Sequence, residues 1–241
     1  MYDISRFTLK DMTECSSALR SMGSEAGSME VVGDRIVHYL YDHLVDQETG
    51  DRALALVRLF RTHPYGELGE DLREFARGML DMSSASPTMK CLVLLATAGM
   101  KPEWHSRRQS TGHKALPLPS ERFIEKVPMI RQLVQQLGLN VNTILEPDPS
   151  VLMDLVQTTY GVFHVPEAVA SQHVPAQDEF VIPFGVRSVV GFGGLLPSGN
   201  LFAVIMFSRA SIPRQTADMF RTLALSVKIA VLPFDGGTIL S

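Results

Sequence analysis

The chain has 241 residues, enough for one large domain or two small ones, and its hydrophobic content of 45% can supply a buried core. Its net charge of −4 comes from acidic and basic residues scattered along the sequence, which predicts neither a nucleic-acid partner nor a membrane partner. The apolar runs fall well short of the roughly 20 residues that cross a bilayer, and the N-terminus lacks the features of a secretory signal. We therefore expect a cytoplasmic protein.

The first half of the chain predicts two helices and two strands. Residues 1–28 are rich in serine and glycine and are expected to form a loosely ordered N-terminal lead. Apolar residues recur at helical spacing over 29–45 and again over 70–82. The alternating segment 53–60 predicts a strand, and 89–98 is apolar on both faces, as is typical of a central strand.

The middle of the chain is more irregular. Residues 99–112 form a charged loop, and 115–118 is a candidate edge strand because prolines are tolerated there. Helices are predicted over 128–137 and 149–160. Prolines throughout 163–184 predict a long ordered loop.

The last quarter reads as strand, tight turn, strand and amphipathic helix. The turn at 197–200 is so short that the strands on either side must be antiparallel. Glycines at 191, 193 and 194 predict a bulge in the first strand, and the unbroken apolar run 201–207 predicts a central strand. The following helix places four apolar residues on one face: Phe220, Leu223, Val227 and Ala230.

These elements predict one α+β domain over 29–233, with an antiparallel sheet of five to six strands flanked by helices. Residues 234–241 would then be a C-terminal tail or linker. The alternative is two domains that divide near 83–87.

The order of elements resembles a GAF domain, a ligand-sensing module of bacterial signalling proteins. Two segments carry the resemblance: 163–168, which looks like the family's short late strand, and 185–190, which looks like its "G-x-R-S" entry to the penultimate strand. The resemblance implies a small-molecule ligand held between the sheet and a helical crossover at 99–162. A PAS domain or a profilin-like roadblock or longin fold is the structural alternative.

The candidate ligand-binding residues come from the polar and aromatic cluster after the second strand and from the late strands. They are Trp104, Arg107, Arg108, His113, Phe163, His164 and Arg187. Arginine forks suit carboxylate or phosphate groups, so we expect these residues to converge on one cavity that holds an anion. The alternative for 104–113 is a solvated loop whose arginines form salt bridges.

No motif identifies a cofactor. His113 and His164 are conceivable haem ligands, but no histidine pair has ligand spacing, and no nucleotide-binding signature is present. A covalently bound bilin, as in phytochrome-type GAF domains, needs an exposed cysteine, whereas Cys91 lies in an apolar strand and Cys15 lies outside the predicted domain. Metal and catalytic constellations are also missing, so we do not expect an enzyme.

The resulting functional hypothesis is a sensory input domain that binds a small ligand. Surplus apolar residues on the first and last helices, Val37 and Ile229 among them, predict a homodimer that could feed a kinase-type or cyclase-type effector. The alternatives are a dimerisation module without a ligand and, less favoured, an enzyme.

Overall fold

The computed structural model describes residues 1–80, 85–148, 150, 154–156 and 160–241. Its centre is a six-stranded antiparallel sheet in the order β5-β4-β3-β8-β7-β6, and a separate parallel pair joins β1 to β2. The strands are β1 (Tyr2–Asp3), β2 (Leu44–Val45), β3 (Leu54–Pro64), β4 (Lys90–Gly99), β5 (Ala115–Leu118), β6 (Tyr160–Val165), β7 (Ser188–Leu195) and β8 (Leu201–Ser208).

The apolar runs occupy the middle of this sheet, as predicted. β8 lies between β3 and β7 and is buried along its whole length. β5 is the edge strand, where Pro117 lies opposite Cys91 of β4. The glycines of β7 were expected to mark a bulge, but β7 pairs with both neighbours without a register shift. A Cβ at Gly193 would overlap the Phe202 carbonyl, so close approach of the β8 backbone explains that glycine instead.

Helices cover both faces of the sheet. They are α1 (Leu9–Ser21), α2 (Met29–His43), α3 (Glu70–Arg77), α4 (Glu121–Glu125), α5 (Pro128–Gln136), α6 (Val141–Leu145), α7 (Arg214–Met219) and α8 (Arg221–Val231). One core lies between the sheet and α1, α2 and α8, and a second lies between the opposite face and the crossover helices α4, α5 and α6.

Several predicted boundaries change. The helix expected over 70–82 ends at Arg77, and the one expected over 149–160 falls largely outside the described residues. The helix after residue 212 is divided between α7 and α8 around Phe220. The predicted loop 163–184 overlaps strand β6 at its start and contains a π-helical turn, Gln177–Val181.

The expectation of a loosely ordered lead over residues 1–28 was wrong. These residues contain β1 and α1, and Thr8 and Asp11 form a reciprocal capping box at the start of α1. α1 buries Cys15 and Leu19, four positions apart, in the core that it shares with α8. Because serines and glycines surround these two residues, the sequence of this segment shows no clear helical pattern of apolar residues.

The C-terminal residues also belong to the folded body rather than forming a free tail. The carbonyls of Thr238 and Ile239 accept hydrogen bonds from the first amides of α2, at 3.0 and 2.9 Å. The side chain of Asp235 is buried and lies 3.0 Å from the Arg61 guanidinium. Helix α2 is therefore anchored by the end of the chain.

The order of helices, strands and crossover is the one that the resemblance implies, and the α+β class with a six-stranded antiparallel sheet is confirmed. Within the described ranges, no helix combines the length and apolar character needed to cross a membrane.

Candidate functional site

A cavity of about 270 Å³ lies between the sheet and the crossover. Its floor is formed by side chains from four strands: Leu56, Arg58, Phe60, Leu92, Leu116, Ile205 and Phe207. Its walls come from α5, from the π-helical turn and from the loop after β4: Met129, Ile130, Leu133, Pro175, Ala176, Glu179, Phe180, Trp104, Thr111, Gly112 and His113. The lining is mainly apolar, with a few polar groups, which is typical of ligand pockets.

Strand pairing determines which side chains reach the floor. Leu56, Arg58 and Phe60 are alternate residues of β3, so they lie on the same face of the sheet. Arg58 pairs with Ile205 of β8, and Ile205 also lines the cavity. A register shift between Leu54 and Leu56 places Leu54 in the opposite core, although simple alternation predicts that both face the same way.

Arg58 is the unusual residue of this site. Only 9% of its surface is exposed, and its Nε atom is buried with no hydrogen-bond partner in the described part of the chain. No acidic side chain among the described residues forms an ion pair with it. Desolvation lowers the pKa of the guanidinium to about 10, so it remains charged near neutral pH. A buried charge without a partner is costly to the folded state.

Aromatic rings form one wall. Trp104 contacts Phe180 edge to face, with centroids 5.6 Å apart, and Phe180 contacts Phe207 in the same way at 5.0 Å. This arrangement links the loop after β4 to the π-helical turn and to the sheet, and it gives the cavity an apolar, aromatic side.

The mouth carries two titratable residues of different character. His113 is exposed and has a left-handed backbone, with φ of 60°. Desolvation, and then the positive charge of Arg58, lower the pKa of its imidazole, so the neutral form dominates near neutral pH. Glu179 is exposed on the π-helical turn, where its carboxylate can remain hydrated.

Two of the seven residues that the sequence suggested, Trp104 and His113, line this cavity. The two neighbouring arginines do not. Arg107 forms a largely buried ion pair with Glu30 of α2 at 2.7 Å, and Arg108 donates to the Ser241 carbonyl. Both line a smaller cleft of about 100 Å³ near Asp71. The alternative interpretation of this loop, with salt-bridging arginines, describes Arg107 correctly.

The remaining three lie elsewhere. Phe163 is fully buried in the crossover-side core. His164 is buried, and its Nε2 lies 2.9 Å from the Ile212 carbonyl, which accepts its hydrogen bond. Arg187 is exposed beside a charged cleft of about 200 Å³ that also contains Arg209. The predicted convergence of all seven residues on one cavity is therefore not seen.

The residue that sequence reasoning missed is Arg58. It is the only charged residue in the otherwise apolar segment 53–60. A single charge in a strand that is buried on both faces is a signal that the sequence does contain, because such a charge needs either a partner or a function.

The cysteines do not suit covalent attachment of a bilin. Cys15 and Cys91 are both fully buried, and desolvation raises the pKa of each thiol to about 12. Neither lies among the cavity-lining residues. The ranges that the structure describes also contain no cluster of three or more histidine, cysteine or acidic residues that could hold a metal ion.

Several solved structures are similar to this chain in fold, at low sequence identity. No family model and no curated protein matches the chain. Among solved structures, it is similar to the phycocyanobilin-bound GAF domain of a cyanobacterial phytochrome, with 10% identity and a TM-score of 0.45, over 92% of this chain and 94% of that chain. A phycoerythrobilin-bound GAF domain from a cyanobacterial phytochrome gives 11% identity and a TM-score of 0.43, over 92% and 97%.

The photosensory core module of the Stigmatella aurantiaca phytochrome gives 10% identity and a TM-score of 0.42, over 94% of this chain and 37% of that chain. Because the sequence identities and TM-scores are low, we draw no functional conclusion from these similarities.

Proposed function

We propose that this protein is a sensory or regulatory domain that binds a small ligand in the cavity between the sheet and the crossover. The observation that carries the proposal is Arg58, a buried cation that has no ion-pair partner among the described residues and lies on the floor of a mainly apolar cavity. A purely structural core would gain stability from an apolar side chain at this position, so the presence of an arginine fits a ligand-binding role.

The location of the cavity supports a mechanism for signalling. Its walls are parts of helix α5, the loop after β4 and the π-helical turn, and none of these segments is a strand of the sheet. A ligand that contacts these walls would favour one of their arrangements, by an amount limited by its differential affinity for the two. The terminal helices, across the sheet, would carry the change to a downstream effector.

Dimerisation through the last helix is the second part of the proposal. Leu225, Ile229 and Leu232 recur at helical spacing and are each 42% exposed, which leaves an apolar ridge along the outer side of α8 and the start of the 3₁₀ turn that follows it, Leu232–Phe234. Val37, which the sequence suggested as a partner in this interface, is fully buried in the protein's own core and cannot serve. The ridge on α8 is therefore the surface that we propose for the homodimer.

The ligand-binding part can be tested by filling the cavity. Native mass spectrometry of the protein purified from its host should reveal a retained small molecule in the wild type. Leu116→Trp, which adds bulk from strand β5 at the edge of the sheet, should lose it, whereas Leu9→Trp, at an exposed position at the start of α1, should keep it. If the wild type carries no added mass, and no compound in a host metabolite extract raises its Tm, ligand binding is contradicted.

A further inference from the structure

The chemistry of the cavity narrows the class of ligand. Its floor offers one strong group of hydrogen-bond donors, the Arg58 guanidinium, which makes no ion pair within the described residues. A guanidinium presents parallel N–H groups that match the two oxygens of a carboxylate. Inside an apolar cavity, such a charged pair interacts more strongly than it would in water.

The surroundings of Arg58 favour an anion with a single charge. His113 is the other basic residue in the lining, and its pKa is lowered, so it adds no second positive charge near neutral pH. Glu179 also lines the cavity, and its carboxylate would repel a dianion about twice as strongly as a monoanion. A dianionic phosphate would therefore be only half neutralised there.

The rest of the lining defines the other end of the ligand. Leu56, Leu92 and Ile205 on the floor and Phe180 and Trp104 on the wall offer apolar surface. The volume of about 270 Å³ is close to the lower end, about 300 Å³, of the usual range for ligand pockets. The ligand must therefore be small and largely apolar.

Resting on the proposed ligand-binding function, we infer that the cavity selects small apolar or aromatic monocarboxylates, whose carboxylate is held by Arg58. Arg58 then gains the partner that the described part of the chain does not provide, and the apolar body of the ligand packs against the aromatic wall. This assigns a binding role to a residue that no sequence motif identifies.

The test compares two probes that differ mainly in charge, phenylpropanoate and the neutral phenylpropanamide. Trp104 is the only tryptophan and lies in the cavity wall, so its fluorescence reports binding at this site. We expect the wild type to bind the carboxylate about tenfold more tightly than the amide, or better, as a charge-assisted hydrogen-bonded pair predicts.

Substitutions of arginines test whether Arg58 causes the preference for the carboxylate probe. Arg58→Met should still bind the amide but should show no preference for the carboxylate. Arg58→Lys should keep part of that preference, because lysine keeps the positive charge but lacks the planar guanidinium that binds both carboxylate oxygens. Arg209→Met is the matched control, since it removes an exposed arginine beside another cleft, and it should behave as the wild type.

Different results of this experiment would contradict different parts of the proposal. Equal affinity of the wild type for the two probes would overturn the anion selectivity and leave the ligand cavity standing. A preference that survives in Arg58→Met would overturn the role of Arg58. Failure of both probes to bind, up to their solubility limits, would overturn the proposed ligand class, while the native mass spectrometry described above decides the ligand-binding function separately.

Discussion

Arg58 and Arg61 lie three residues apart on β3 and are both buried, but their environments are opposite. The Arg61 guanidinium donates to the carboxylate and the carbonyl of Asp235, at 3.0 and 3.1 Å, and to Nδ1 of His63 at 2.9 Å. Arg58 has no such partner in the part of the chain that is described. We propose that Arg58 is placed for a ligand, whereas Arg61 joins the sheet to the C-terminal segment.

Replacing Arg58 should therefore stabilise the ligand-free protein. Arg58→Met removes a desolvated charge and keeps most of the apolar stem, so we expect the free energy of unfolding to rise by about 1–3 kcal/mol in urea titrations. Arg209→Met, at an exposed site, should change it by less than about 0.5 kcal/mol. A lower stability for Arg58→Met would mean that Arg58 has a structural partner and that the account of the site is wrong.

Replacing Arg61 should have the opposite effect. Arg61→Met leaves the Asp235 carboxylate buried without its cation, and we expect a loss of about 3–5 kcal/mol in the same urea titrations. The exposed pair formed by Arg214 and Asp218 at 2.9 Å provides the control, because Arg214→Met should cost less than about 1 kcal/mol. If Arg61→Met and Arg214→Met lower the free energy of unfolding by the same amount, the buried pair of Arg61 and Asp235 does not matter more to stability than the exposed pair.

Among the elements, helix α1 changes the domain boundary most, because the sequence predicted that the domain starts at residue 29 and α1 lies before that residue. Its capping box, its buried Cys15 and Leu19 and its packing against α8 make it part of the same core as the sheet. An N-terminal segment of this kind cannot be separated from the domain without exposing that core.

A matched pair of leucine substitutions tests this. Leu19 is fully buried and Leu9, at the start of the same helix, is 71% exposed. Leu19→Ala should lower the free energy of unfolding by about 2–5 kcal/mol, because it opens a cavity between α1 and α8, whereas Leu9→Ala should have little effect. If chemical denaturation gives the same small change for both variants, α1 is not part of the cooperative core.

The elements that the sequence predicted well are those with a strong apolar pattern. β8 and β4 were predicted because every residue of a strand in the middle of a covered sheet is buried, and α5 because its apolar stripe is bounded by Pro128 and Gly138. α1 was missed because its few buried residues stand among serines, and its order depends on α8, some 200 residues away along the chain.

The site was harder to predict than the fold, for a related reason. Which loop residues reach the cavity depends on how the crossover folds back over the sheet, and local sequence does not encode that. Trp104 and His113 were found because they belong to a conspicuous polar and aromatic cluster, but Arg107 in the same cluster turns towards Glu30 of α2. Arg58 could have been found from its isolation in an apolar strand.

At the scale of the whole molecule, the sheet lies between the two surfaces that we propose to be functional. The cavity lies on its crossover side, and its other side packs against α1, α2 and α8, with the apolar ridge of α8 facing outward. In this arrangement a ligand and a second subunit would act on opposite faces of the same sheet.

The proposed dimer can be tested by charging the ridge. The double variant Leu225→Asp with Ile229→Asp should sediment as a folded monomer, because association would bury unpaired carboxylates. Leu9→Asp, exposed at the start of α1, should leave the assembly of the wild type unchanged. Sedimentation of the wild type itself as a monomer at micromolar concentrations would rule out this part of the proposal.

The most direct test of the central claim is a crystal structure of the full chain with phenylpropanoate bound. We expect density in the cavity between β3 and the crossover, with the carboxylate within hydrogen-bond distance of the Arg58 guanidinium and the phenyl ring against Trp104 and Phe180. A cavity filled by protein side chains, with Arg58 turned to a partner within the chain and the probe absent or bound elsewhere, would contradict the account.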